Sequence, residues 1–265
     1  MLQSFLQASA AQGAVYQTDY HMLGKGSNLL FRDAGYPGCL IDVSKLKQLH
    51  TLEQTQHQWA LDAQAGVGMG QLLTLLRKKE YTGFEFVFGI PGSIGGGIRM
   101  NAGTPDGWFS DVLTSVYGYD PAGQWWEKKV TPQDFQYRDF PWGRDLIIAG
   151  GHFLFRKSDR ASIEAKLDAA KLKRKRQPLQ YPNFGSVFKN PKGHFAGALI
   201  EGVGLKGCKR GQAEIADKHA NFIINHGQAK TSDVCWLMSS AQQAVQEKYD
   251  VSLETEVHIL GVDPQ

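Results

Sequence analysis

A few short stretches of the chain carry residue types that can do chemistry. Asn183–Pro191, NFGSVFKNP, places Ser186 after a glycine and before an apolar pair, with Lys189 and Asn190 close behind. No G-x-S-x-G elbow surrounds Ser186, so nucleophilic hydrolysis has little support. A serine hydroxyl can instead hand over a proton when neighbours stabilise its alkoxide, and a plain turn serine fits as well. Tyr137-Arg138-Asp139 offers a guanidinium able to grip a carboxylate or enolate through two parallel bonds. The same arginine could simply pair with Asp139 or Asp134. Glu254 and Glu256, two apart on an expected last strand, share a face, either with one buried and functional or as an exposed edge pair. His219, just before an apolar strand, reads more readily as a packed imidazole than as a catalytic one.

Two glycine-rich stretches suit an anionic ligand. Gly89–Gly103, GIPGSIGGGIRMNAG, interleaves six glycines with Ile90, Pro91, Ile94, Ile98 and Met100. So much glycine predicts neither a stable helix nor a strand interior, and the apolar residues argue against a flexible linker. Backbone that can come close, N–H groups that can point at anionic oxygens and an oily wall suit a cofactor with a diphosphate and an aromatic ring system. A glycine-rich surface loop is the alternative. Leu23–Asn28, LGKGSN, follows an expected strand and offers donors from Gly24, Gly26, Ser27 and Asn28. Leu29 stands where a dinucleotide fingerprint needs its third glycine, and Gly66–Gly70 fails the same test. A tight turn would explain either stretch alone; two phosphate-friendly loops together make the stronger case. The run KLKRKR, Lys171–Arg176, ends an expected helix, where cations suit the negative pole. No aromatic platform is interleaved with it as single-strand binding would want, so nucleic acid is not an expected partner, although one of its last cations could reach an anionic substrate.

The elements that must hold these residues alternate irregularly. A helix is expected over 1–12, a strand over Val15–Leu23, a short apolar piece at Gly38–Val43 and a strand at Trp59–Ala65. Met69, Leu72, Leu73 and Leu76 repeat with helical spacing. Val112–Tyr119 and Gln124–Lys129 flank Asp120–Gly123 as a hairpin. Thr131-Pro132 opens a short helix, Leu146–Phe155 is a strand, and Ser162–Arg176 is a polar helix. A helix at Phe195–Glu201 and a strand at Ala220–Asn225 follow. Next comes a helix from about Ser232, capped by Thr231 or Ser232, with Val234, Leu237, Met238, Ala241 and Val245 on one face. The last strand spans Val251–Leu260. Without strict βαβ order the fold class is α+β, with a domain boundary near residue 157 in the polar KSDRAS.

Composition bounds the rest. The chain has 265 residues, 42% of them hydrophobic, enough for one large or two moderate cores. No apolar run is long enough for a membrane helix, and the N-terminus lacks the basic start of a signal peptide. Cys39, Cys208 and Cys235 are scattered, with no C-x-x-C and no H-E-x-x-H. A reducing cytoplasm fits, and neither a disulfide scaffold nor a metal site is expected. A net charge of +3 selects no partner class.

Read together and in order, LGKGSNLL, GIPGSIGGGIRMNAG, YRD, GSVFKNP, AGALIEGVGLKG, KHANFIIN and LETEVHILG resemble the UDP-N-acetylenolpyruvoylglucosamine reductase family of bacterial peptidoglycan synthesis. The resemblance runs from about Tyr20 to Gly261; any one motif is weak, and seven in register are specific. It implies an FAD-binding domain of the vanillyl-alcohol-oxidase type over 1–157, made of two α+β subdomains of about 1–50 and 51–157. A C-terminal α+β domain over 158–265 would close on a UDP-sugar. FAD and NADPH are the implied cofactors. NADPH reduces the flavin and leaves; UDP-N-acetylglucosamine enolpyruvate then takes a hydride and a proton to become UDP-N-acetylmuramate. Ser186 matches the proton donor, and Arg138 and Glu256 match the pair that stabilises the enolate-like intermediate. Charge grows on the substrate carboxylate, so a fixed cation helps; Glu256 could donate a hydrogen bond there if burial raised its pKa.

The implied cofactor residues are Gly24, Gly26, Ser27, Asn28, Pro91, Gly92, Ser93, Gly95, Gly96 and Asn101. The implied substrate residues are Tyr137, Arg176, Lys189, Asn190 and His219. A cytoplasmic monomer with no membrane or nucleic-acid partner is expected. Two departures stand out. Met1 falls almost at the first helix, which implies a shortened first FAD subdomain. The short interval from Arg138 to Ser186 resembles the compact type without the Tyr-bearing insertion, so closure must rely on other parts. The competing expectations are an FAD-dependent oxidase of the same superfamily and an inactive flavin-binding homologue.

Overall fold

The computed structural model describes residues 20–263. The helix expected over 1–12 and the start of the strand expected from Val15 lie outside the described residues. In chain order the early elements are β1 (Tyr20–Leu23), β2 (Leu29–Phe31), β3 (Cys39–Asp42), β4 (Leu49–Gln54), β5 (Gln58–Gln64), α1 (Met69–Lys79), β6 (Tyr81–Thr82) and α2 (Ile94–Arg99). Next come β7 (Gly103–Thr104), β8 (Gly107–Trp108), β9 (Leu113–Tyr119), β10 (Trp125–Lys129), β11 (Ile147–Lys157) and α3 (Arg160–Arg174). Then follow α4 (Ala196–Gly202), β12 (Lys209–Arg210), β13 (Ala213–Ile215), β14 (Ile223–Asn225), α5 (Thr231–Tyr249) and β15 (His258–Leu260).

These residues form two compact units, one of residues 20–26 and 39–172, the other of 27–38 and 173–263. The first unit thus runs past the boundary expected at residue 157, and α3 is the reason. Its Ile163 and Leu167 are buried in the first unit's core, and Glu164 takes Nε and Nη2 of Arg77 on α1, each at 2.7 Å. The polar KSDRAS is the turn into that helix.

In the first unit an antiparallel sheet runs β10-β9-β11-β5-β4, with β6 also on β11. On β5, Trp59, Leu61 and Ala63 alternate inward, the period of a half-buried strand. The hairpin forms as the Asp120–Gly123 turn predicts, with Trp125 opposite Tyr119. On α1, Met69, Leu72, Leu73 and Leu76 are all buried. Phe84 is the hub of the core and meets Phe86, Phe109, Phe153 and Phe155 edge-on at 5.2–6.4 Å.

The glycine-rich stretch corrects the sequence expectation, because it contains the helix α2. Propensity argues against a helix in IGGGIR, but packing decides. A Cβ on Gly95 would stand 2.8 Å from Ala65 Cβ, and one on Gly97 would stand 2.2 Å from Phe109 Cζ. Glycine therefore lets the helix backbone lie against the strand and the ring, while Ile94 and Ile98 fill the core.

In the second unit β12-β13-β14 form an antiparallel sheet, and β2 pairs with β15 in parallel. Val234, Leu237, Met238, Ala241 and Val245 of α5 are buried, as their spacing predicts. Its cap is another correction. Neither Thr231 nor Ser232 caps the helix; their backbone N–H groups donate to the Asp33 carboxylate at 2.8 and 3.1 Å. The strand expected over Val251–Leu260 is short as well. Only His258–Leu260 is strand, preceded by a bridge between Phe188 and Thr255.

Candidate active site

In the first unit the two glycine-rich loops meet. A Cβ on Gly24 would stand 2.5 Å from Ser93 Oγ, so the LGKGSN turn lies flush against the start of α2. Ser93 is buried and caps α2, its Oγ accepting from Gly96 N at 3.5 Å. Lys25, Gly89, Pro91 and Gly92 border a cavity of about 450 Å³ whose apolar walls include Leu73 and Ile90. That volume is in the range of small-molecule sites. Flush glycine backbone, a cation and an oily wall fit a flavin dinucleotide. The expected cofactor residues divide here. Gly95 spends its N–H on Ala65 O at 2.8 Å and serves packing. Gly26, at φ +66°, ends the first unit's segment, and Ser27 and Asn28 belong to the second unit.

Asn101 is buried and works inside the scaffold. Its Oδ1 accepts from Ser110 N at 3.1 Å and its Nδ2 donates to Gln136 O at 3.2 Å. The second bond steadies the tight hairpin that carries Arg138, where Gln136 and Asp139 exchange backbone bonds of 2.9 and 3.2 Å. Arg138 sits at the tip with φ +59°, a left-handed backbone that a non-glycine residue adopts only when its surroundings impose it. Nη1 donates to Gly103 O at 3.0 Å, and the guanidinium lies 5.4 Å from the Trp108 ring centre and 5.3 Å from that of Tyr137. The Asp139 carboxylate takes Arg99 at 2.7 Å and Arg144 at 2.5 Å. Burial pushes its pKa up, but bonds from Arg144 and Arg99 outweigh that and hold it below the usual carboxylate range. Asp134 takes Lys128.

In the second unit Ser186 and Glu256 are placed by one backbone pairing. Glu256 N donates to Val187 O at 2.8 Å, and Lys189 N donates to Glu254 O at 2.8 Å. Both side chains therefore hang from a shared ladder, one residue either side of its bonds. Ser186 is half-buried, next to Gly185 at φ +84°. Asn28 completes the arrangement, its Nδ2 donating to Glu256 O at 3.0 Å. Glu254 takes the outer role of the expected pair, exposed and bonded to Lys189 Nζ at 2.5 Å.

Asn190 Oδ1 accepts from Ala196 N at 3.0 Å and closes the loop 190–196. His219 is a packed imidazole, as read. Its Nδ1 accepts from Asn221 N at 3.2 Å, and burial pushes its pKa below the usual histidine value, so the ring is neutral at pH 7. Arg176 is exposed one turn past α3, its N–H on Lys173 O. The residue that sequence reasoning missed is Asn221. It is buried, with Oδ1 accepting from Phe188 N at 2.9 Å and Nδ2 donating to Phe188 O at 2.8 Å, while its carbonyl takes Val187 N at 2.9 Å. It therefore grips the two residues after Ser186. An asparagine inside the apolar run ANFIIN was the available signal, since a buried polar side chain must find partners.

A glycine-loop cradle beside a hairpin arginine, with a serine–glutamate ladder in a separate unit, defines an α+β flavoprotein; residues 6–127 match the FAD binding domain family model. Residues 177–260 match the UDP-N-acetylenolpyruvoylglucosamine reductase C-terminal domain. The chain belongs to the UDP-N-acetylenolpyruvoylglucosamine reductase family. It is 41% identical to the reductase of Shouchella clausii over 91% of this chain and 77% of that protein. It is 36% identical to that of Clostridium novyi over 93% and 79%. The crystal structure of the Thermus caldophilus reductase superposes with a TM-score of 0.78 at 30% identity, covering 98% of this chain and 90% of that one.

Proposed function

We propose that this chain reduces UDP-N-acetylglucosamine enolpyruvate to UDP-N-acetylmuramate, with FAD bound and NADPH as reductant, as a cytoplasmic monomer in peptidoglycan precursor synthesis. The relatives' reductase name supports the reaction. The observation that carries the assignment of residues is the ladder bond between Glu256 N and Val187 O, which ties the Ser186 loop to Glu256. Flavin, when bound, supplies the hydride and is recharged by NADPH; Gly24, Gly26, Pro91, Gly92, Ser93 and Gly96 would hold it, with Ser27.

The chain's own residues supply the rest. Arg138, held on its strained hairpin, takes the substrate carboxylate, on which negative charge builds as the double bond gains hydride. Ser186 delivers its hydroxyl proton to the carbon alpha to that carboxylate and is reprotonated from solvent. Glu256 donates a hydrogen bond to the same charge. Lys189, Asn190, Arg176, Tyr137 and His219 bind the UDP-sugar, cations on the anionic groups and neutral donors elsewhere.

Rapid-mixing kinetics test this on Ser186→Ala. Reduction of the bound flavin by NADPH stays within about two-fold of wild type, while turnover falls about 10²–10⁴-fold, the worth of a positioned acid. Normal turnover in that variant would remove Ser186 from the mechanism. Oxygen uptake with no consumption of the enolpyruvyl sugar by wild type would remove the reductase reading itself.

A further inference from the structure

Phe195 is 72% exposed, the most exposed large apolar side chain among the described residues. Its backbone is held on both sides. His194 N donates to Pro191 O at 2.9 Å, Phe195 O accepts from Leu199 N at 3.1 Å, and Ala196, fully buried, is fixed by Asn190 Oδ1. The ring therefore stands in water on a closed, anchored loop. It also occupies the N-cap of α4 and makes no side-chain cap bond, where serine, threonine, aspartate and asparagine are preferred. Asn190 meets the helix end in its place. A residue that breaks both the burial rule and the capping rule on ordered backbone points to a ligand that covers it.

The neighbours indicate which ligand. Asn190 brings an exposed amide on the same closed loop. Lys189 precedes it with a cation. His219 packs beneath the first turn of α4, its Cε1 3.1 Å from where a Cβ on Gly197 would stand; because Nδ1 accepts a bond, its proton sits on Nε2. A flat apolar ring beside an amide, a cation and an imidazole N–H is the donor set for a nucleoside diphosphate, with the base stacked on the ring.

We propose that Phe195 is the platform on which the uracil ring of the substrate stacks, and that it helps the compact chain select a nucleotide-linked sugar. This rests on the reading of the chain as a UDP-sugar enzyme. The test uses the FAD-loaded enzyme as wild type, Phe195→Ala and Phe195→Tyr. Phe195→Ala raises KM for the enolpyruvyl sugar about ten-fold or more, the loss expected when a base–aromatic stack is removed, and Phe195→Tyr restores it. KM for NADPH in flavin reduction stays within about two-fold. Calorimetry on the same proteins compares uridine 5′-monophosphate with ribose 5-phosphate. Wild type prefers the nucleotide, and Phe195→Ala loses most of that preference. An unchanged preference, or a KM for NADPH that rises in step, overturns the platform. Absence of wild-type turnover overturns the functional reading alone, because the calorimetric comparison decides on Phe195 without turnover.

Discussion

Asn28 Nδ2 donates to the carbonyl oxygen of Glu256 across 228 positions of sequence, and Asn28 O accepts from His258 N. The asparagine of LGKGSN thus clamps the backbone that carries the proposed acid. Asn28→Ala removes the donor from a half-buried carbonyl, which costs about 1 kcal/mol and lowers Tm by roughly 2–4 °C. If Asn28 acts through Glu256, oxidation of reduced flavin by the sugar slows about ten-fold, the equivalent of that energy at the barrier, and reduction by NADPH is kept. Loss of both half-reactions together with flavin would make Asn28 a cofactor residue instead.

That clamp shows what a linear reading can see. The type and place of Asn28 were legible, but not its partner, because β2 and β15 pair across nearly the whole chain. The helix face of Met69, Leu72, Leu73 and Leu76 and the hairpin turn at Asp120–Gly123 were legible because their signals are local. β4 was not expected, since five of its six residues are exposed and it shows no apolar period. α2 was misread because glycine propensity was weighed without the ring and strand that require it. Ser186, Arg138 and Glu256 could be named from motifs. The ladder joining two of them, and Asn221 behind it, depend on residues that fold brings together.

The three consecutive glycines of α2 have different jobs, which alanine scanning separates. At Gly97 a Cβ meets the fully buried Phe109 ring at 2.2 Å. The overpacking costs about 1–3 kcal/mol, more than the roughly 1 kcal/mol of helix propensity gained, so Gly97→Ala lowers Tm. Gly96 is exposed and its Cβ would meet Ser93 Oγ at an ordinary 3.7 Å. Gly96→Ala therefore raises the Tm of flavin-free protein by a few degrees. It also weakens FAD binding if this backbone lies against the cofactor. Calorimetry of the flavin-free variants and FAD titration followed by absorbance measure both effects; equal stability changes at the two positions would sink the packing account.

Asn221→Ala strips both side-chain bonds from Phe188 in a buried setting. Leaving that N–H and C=O unsatisfied costs about 1–3 kcal/mol each, so the second unit unfolds several degrees lower. Because Asn221 grips the residues just after Ser186, kcat for the sugar falls further than flavin reduction by NADPH. Asn221→Asp keeps the acceptor for Phe188 N and loses the donor to Phe188 O, and its kcat lies between those of the other two. Chemical unfolding and the two half-reactions check this; a stability loss with kcat unchanged would reduce Asn221 to scaffold.

Asp33 gives the second unit a charge-dependent helix cap. Backbone N–H groups of Thr231 and then Ser232 bond its carboxylate and hold its pKa below the usual value. A depressed carboxylate pKa means that the unfolded chain binds the proton more readily. The cap is therefore complete above the unfolded pKa of about 3.9 and is lost as pH falls through the lower folded value. At pH 7 Asp33→Ala destabilises by about 0.5–2 kcal/mol, the worth of an N-cap carboxylate. The Tm gap between variant and wild type narrows as the buffer is taken from pH 7 to about pH 3, because wild type alone has this cap to lose. Thermal unfolding at both pH values measures the gap, and a gap that widens on acidification would show that the carboxylate charge is not what holds the end of α5.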